Sequence, residues 1–200
     1  MSESLSVTDR TRVRRKPARG SHDRAVVHAI LDEALVCHVA FASEHGPVVL
    51  PTTFVRVDDQ IYIHGSPANH LLRAVGANVE ACVAVTLVDA LVLARTAFHH
   101  SMNYRSVVLF GRGATVEAHD IKERVLAALI EKLEPGRSAA CRLPNPTELS
   151  ATLVIAFPIA EASAKIRTGP PIADTPEDAL LPHWSGIVPL RVVRGEPIAG

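Results

Sequence analysis

The stretch VCHVAFASEHGPVVLPTTFVRVDDQIYIHG (36–65) decides how the chain reads as a fold. Three runs rich in β-branched and aromatic residues, VCHVAFA (36–42), PVVLPTTFVRV (47–57) and QIYIHG (60–65), are separated by the turn signals EHG and DD. Short gaps between alternating apolar runs predict antiparallel strands joined by hairpins. Pro51 lies inside the second run and has no N–H to give a ladder, which marks an edge or a bulge.

Outward from this core, Val27, Ile30, Leu31 and Ala34 recur at helical spacing after Ser21, a candidate cap. A short helix is expected over about 67–76, with Ser66 as cap and Pro67 as first helical residue. VEACVAVTLVDALVLAR (79–95) and YRSVVLFGRGATVE (104–117) read as long buried strands, the first bending near Asp89, the second with Gly111 and Gly113 as bulge or kink sites. Asp120 and Glu123 resemble a capping box for a helix with one apolar face, Ile121, Val125, Leu126, Leu129 and Leu133, stopped at Gly136. A last strand spans 150–169, ahead of a Pro-rich tail. Six or more strands with few helices favour a small antiparallel β-barrel.

The totals bound the function. Basic and acidic residues balance at 21 each among 200, so no global field favours nucleic acid or an anionic membrane as partner. No apolar run reaches spanning length and no apolar leader is present, so a cytoplasmic location is the expectation. Cys37, Cys82 and Cys141 lack metal or redox spacing and read as reduced core residues. TRVRRKPARG (11–20) reads as a flexible or surface-draped basic tail.

The most informative polar constellation is IYIHGSPANHLL (61–72). A helix beginning directly after a strand presents free N–H groups and partial positive charge to an anion, with Asn69 and His70 in its first turn and His64 nearby. Gly65 allows close backbone approach, and Thr52 and Thr53 follow the ladder-breaking proline. Spacing alone leaves open whether this is an anion site or an ordinary capped helix. The same holds for Tyr104, Arg105 and Ser106, which alternate between two faces at the mouth of a strand. Lys165 and Arg167 fit a solvated strand edge. Trp184 either packs the Pro-rich arm down or stacks on a planar ligand.

In this order and spacing, LPTTFVRVDDQIYIHGSPANHLL (50–72), NYRSVVLFGRGATVE (103–117) and AKIRTGPP…PHWSGIVPL (164–190) carry a resemblance over residues 10–197. The chain resembles the pyridoxamine 5'-phosphate oxidase-like family of flavin-nucleotide-binding split barrels, in the branch that includes nitroimidazole-resistance proteins. The resemblance implies a mainly β protein with flanking helices: a six-stranded antiparallel split β-barrel of the FMN-binding type over 21–169. It follows a basic tail (1–20) and precedes a Pro-rich arm (170–200) packed on the barrel or the partner subunit.

It further implies a homodimer with FMN, or as the lesser alternative FAD, in a cleft between subunits. Thr52 and Thr53 would run along the isoalloxazine, and His64, Gly65 and Ser66 would flank the ribityl chain and phosphate. Asn69 and His70 would stand where the family has Ser/Arg and Lys, and Tyr104, Arg105 and Ser106 would approach from the next strand or the partner. Lys165 and Trp184 would close the cleft. The implied activity is a flavin-dependent oxidoreductase taking electrons from NADH or NADPH for a small acceptor, although the C-terminal arginine–histidine pattern of the true oxidase is missing. A non-catalytic flavin carrier or sensor, or a haem binder through a histidine such as His64, is the alternative.

Overall fold

A computed structural model describes residues 3–172 and 175–200. The described residues hold ten strands. In chain order they are β1 (Gly20–Ser21), β2 (Val36–Ser43), β3 (Gly46–Thr53), β4 (Val55–Val57), β5 (Gln60–Gly65), β6 (Ala77–Leu93), β7 (Ser101–Thr115), β8 (Leu153–Pro158), β9 (Glu161–Arg167) and β10 (Gly186–Pro189). The helices are α1 (Arg24–Glu33), α2 (His70–Gly76), α3 (His119–Leu133), α4 (Pro146–Ser150) and α5 (Pro176–Ala179). The main path of the sheet is β3-β2-β6-β7-β8-β5-β4. The fold is thus mainly β, with flanking helices.

The excess over six strands has local causes. The run 47–57 breaks into β3 and β4 at Phe54, whose ring is fully buried. The expected strand 150–169 begins instead inside α4 and turns between β8 and β9. Two short pairings, of β1 with β9 and of β10 with β6, complete the count.

The chain divides into two compact units, residues 3–86 with 106–165, and residues 87–105 with 166–200. In the first, β2 and β3 pair from Val36↔Thr53 to Ser43↔Gly46, and β3 ends the sheet path as an edge, as Pro51 requires. Cys37, Val39 and Phe41 alternate inward on β2, while α1 buries Val27, Ile30 and Leu31. A further cluster joins Val55, Tyr62, Val154 and Ala156 of the sheet to Val125 and Leu129 of α3. Each fully buried Val, Leu, Ile or Phe among them contributes about 1.5–3 kcal/mol.

Three helix starts differ from the expected ones. Asp23, not Ser21, caps α1, its Oδ1 accepting from Ala25 N at 2.8 Å; Ser21 is held in β1. Asn69, not Ser66, caps α2, its Oδ1 accepting from Leu72 N at 3.3 Å. α3 begins behind Ala118 with no side-chain cap. Lys122 of α3 is buried, with Nζ donating to the Leu149 and Thr152 carbonyls at 3.3 and 2.9 Å.

The second unit is held by its own pairings. β10 runs antiparallel to β6 from Gly186↔Leu93 to Pro189↔Ala90. Arg167 is buried rather than on a solvated edge. Its guanidinium donates to Asn103 Oδ1 and to the Gly169 and Pro170 carbonyls, the last two at 3.2 and 3.1 Å.

Candidate functional site

The β5–α2 connection gathers five of the expected residues. His64 and Gly65 pair with Val154 and Leu153 of β8. The chain then turns, with Ala68 N donating to Ser66 Oγ at 3.2 Å and Asn69 N to the Ser66 carbonyl at 2.9 Å. The next two amides, of His70 and Leu71, take no partner among the described residues, as expected for a first helical turn. Gly65 is needed for space, since a Cβ there would lie 3.1 Å from Leu72 Cδ1. The His70 ring is tilted against Phe41 at 6.2 Å. Desolvation lowers the pKa of His64, which keeps its imidazole neutral at neutral pH. Two free amides beside an imidazole and the Asn69 carboxamide form a donor set for an anion such as a phosphate ester. Thr52 and Thr53 lie on the edge strand β3, opposite Cys37 and Val36, with Thr52 more exposed than a core position allows.

Ser106 and Lys165 fall in a different place. On β7, Ser106, Val108 and Phe110 share one face, as alternation predicted, and the basic N-terminal segment lies over it. That segment is pinned, not loose. Thr8 Oγ1 and Arg10 both donate to the Glu161 carboxylate, Arg10 Nη1 reaches Glu80 at 2.6 Å, and the Arg10 guanidinium sits 4.8 Å above the Phe110 ring. Thr11 is 1 % exposed. The hydrogen bonds from Arg10 and then Thr8 hold the Glu161 carboxyl below its ordinary pKa. Beneath the segment is a cleft of about 290 Å³, lined by Arg12, Arg14, Arg15, Ser106, Ser163 and Lys165. Ser106 Oγ donates to the Lys165 carbonyl at 3.2 Å. Sequence reasoning missed these arginines because a charge run with little apolar content reads as solvated tail; its partners Glu80 and Glu161 lie far along the chain.

In the second unit, Arg105 is engaged inside the chain. Its Nε and Nη2 both reach Asp89, the latter at 2.7 Å. Tyr104 is partly exposed, and Trp184 is 63 % exposed, its ring covering Gly186.

A cavity of about 580 Å³ elsewhere in the first unit is lined by none of the expected residues. Its charges are matched: Arg24 meets Asp59 at 2.8 Å and Arg124 meets Asp58 at 3.4 Å. No group of three or more His, Cys, Asp or Glu suited to a metal occurs among the described residues.

The family model for pyridoxamine 5'-phosphate oxidase matches residues 23–166. The chain belongs to the pyridoxamine 5'-phosphate oxidase family. Among solved structures, the flavocytochrome Anf3 from Azotobacter vinelandii is 38% identical with a TM-score of 0.88, over 96% of this chain and 89% of that one. The FAD and haem binding protein from Mycobacterium smegmatis is 37% identical with a TM-score of 0.86, over 91% of this chain and 89% of that one. A candidate 5-nitroimidazole antibiotic resistance protein from Bacteroides thetaiotaomicron, 19% identical with a TM-score of 0.60 over 74% of this chain and 86% of that one, shares the fold. No curated protein matches the sequence significantly. The fold of this pyridoxamine 5'-phosphate oxidase family member is therefore the split barrel. The matched span contains the β5–α2 donor set and leaves out the arginine segment and the second unit's arm.

Proposed function

We propose that the chain is a flavin-nucleotide-binding protein that passes electrons from a reduced nicotinamide to a small acceptor. The observation that carries this reading is the pair of relatives at 38% and 37% identity over nearly the whole chain, a flavocytochrome and an FAD and haem binding protein. Their names give FAD more weight than the resemblance did, while FMN remains the smaller cofactor with the same ring and first phosphate. The β5–α2 connection fits that shared part: the free amides of His70 and Leu71, Asn69, His70 and Ser66 supply donors for one phosphoryl group, and Gly65 keeps the approach open. Thr52 and Thr53 on the edge strand offer backbone and hydroxyl groups along the ring. When bound, the flavin supplies the redox chemistry; the chain's residues position it and exclude water.

A homodimer belongs to this proposal. The first unit leaves Leu35, Val36, Val49 and Leu50 exposed at 46%, 44%, 60% and 37%, beside an eight-residue edge strand. An apolar edge of that kind favours pairing with a second chain. Tyr104, Arg105 and Trp184 would then act with a partner's cofactor.

Haem is the second reading, favoured by the names of the same two relatives. His64, kept neutral by burial, has the form that ligates iron. The absorption spectrum of the purified protein tests both. Flavin bands with bleaching by anaerobic NADPH or NADH support the oxidoreductase. A Soret band adds haem, and flavin bands without bleaching reduce the protein to a carrier.

A further inference from the structure

The cleft under the N-terminal segment gathers positive charge left unpaired among the described residues. The acids paired with the segment are engaged: Glu161 by Thr8 and Arg10, Glu80 by Arg10 and by Arg112 at 3.1 Å, and Asp9 by Arg14 at 3.6 Å. Arg12, Arg15 and Lys165 form no ion pair among the described residues and line one cleft of about 290 Å³. Like charges held together without counter-charge repel, so the anchoring of the segment through Thr8, Arg10 and buried Thr11 works against that repulsion. The cleft also carries a second kind of donor. Ser163 is 8 % exposed, and its hydroxyl has no hydrogen-bond partner among the described residues.

We infer that this cleft binds the diphosphate of a nucleotide, with the Arg12 and Arg15 guanidinium forks and the Lys165 ammonium on its oxygens and the Ser163 hydroxyl beneath. Guanidinium forks match phosphoryl oxygens two at a time, and a pair of adjacent phosphates uses more than two cations at once. A concave cleft with cations on both the N-terminal segment and β9 suits a small anion better than a flat anionic surface. Two sources share this chemistry: the diphosphate of a bound dinucleotide flavin, and that of a free nucleotide such as the nicotinamide donor. The site stands on its own residues, none of which belongs to the β5–α2 connection.

The test is calorimetric titration of inorganic pyrophosphate and of ADP into protein loaded with FMN and, separately, with FAD, at low salt. The probes are expected to bind the FMN-loaded form saturably and to lose affinity as salt rises. Arg12→Ala/Arg15→Ala/Lys165→Ala should bind at least tenfold more weakly, with thermal stability equal to or above wild type because Thr8 and Arg10 still anchor the segment and the repulsion is gone. Ser163→Ala, a smaller change, should weaken binding severalfold. Loss of probe binding in the FAD-loaded form alone identifies the flavin's own diphosphate as the occupant; equal binding in both forms identifies a free nucleotide. Absence of saturable binding in wild type, equal affinity in the triple variant, or binding to anionic vesicles without pyrophosphate binding would overturn the inference. Flavin content measured on the same samples keeps the two readings apart. Pyrophosphate binding by a protein that takes no flavin defeats only the flavin proposal, and flavin binding without pyrophosphate binding defeats only this one.

Discussion

Gly111 and Gly113 lie two residues apart on the same strand, yet the structure gives them opposite tolerance for a side chain. A Cβ on Gly113 would lie 2.7 Å from the Val75 carbonyl oxygen, 2.7 Å from Ile155 Cγ2 and 3.0 Å from Phe157 Cζ. Ile155 and Phe157 are both fully buried and Val75 O is backbone at the end of α2, so none of the three can yield cheaply. A Cβ on Gly111 would meet nothing within 4 Å. Overpacking of this kind costs about 1–3 kcal/mol, and the backbone contact puts Gly113→Ala at the upper end, about 3 kcal/mol. For a chain of this size that is a fall in Tm of roughly 6–12 °C. Gly111→Ala removes only unfolded-state freedom and should move Tm by no more than a few degrees, upward. Scanning calorimetry of the two variants beside wild type decides it. A Gly113→Ala protein as stable as Gly111→Ala would refute the close packing of α2 and β8 against β7.

Other predictions concern single groups. Burial pushes the Lys132 ammonium down to about 8, although Nζ donates to the Leu31 carbonyl at 2.9 Å and sits 3.7 Å over the Phe54 ring. The native state therefore binds fewer protons than the unfolded one between pH 8 and 10.5, and the group's contribution to stability rises with pH across that window. After allowance for solvent screening, Lys132→Met should be more stable than wild type at pH 7 by about 1–2 kcal/mol, the advantage vanishing by pH 10 in urea melts; a constant difference would contradict the desolvation. Burial likewise pushes the Cys37 thiol up to about 12, so a thiol reagent should label native Cys37 only as fast as the protein unfolds, and rapid stoichiometric labelling there would count against its buried position. His70→Ala should weaken flavin affinity by about tenfold, the worth of one charge-assisted hydrogen bond, while Cys141→Ala should not. Equal dissociation constants from fluorescence titration would remove His70 from the phosphate.

The strands were legible wherever one face is buried, because alternation writes itself into the residues: Cys37, Val39 and Phe41 point inward from β2 as their spacing demands. Boundaries were less legible where two residues compete for one job. Ser66 and Asn69 can both cap α2, and the choice falls to Asn69 because Ser66 is occupied in the turn before it. The break at Phe54 depends on which ring fills the core, and the space filled by Gly113 depends on α2 and β8 arriving from elsewhere in the chain. Neither leaves a local mark. The site shows the same division. The β5–α2 donors are contiguous and could be read directly, but the arginine cleft needs Glu161 to hold Arg10 and β9 to bring Ser163 and Lys165 beneath it. Arg105 looked available because Asp89, its partner, is on the preceding strand.

The bound cofactor is the most direct test. Mass spectrometry of the small molecules released on denaturing the purified protein, with absorption to count them, should return FAD or FMN at close to one per chain. Protein that releases no flavin, and neither quenches nor shifts the spectrum of added FMN or FAD, would contradict it.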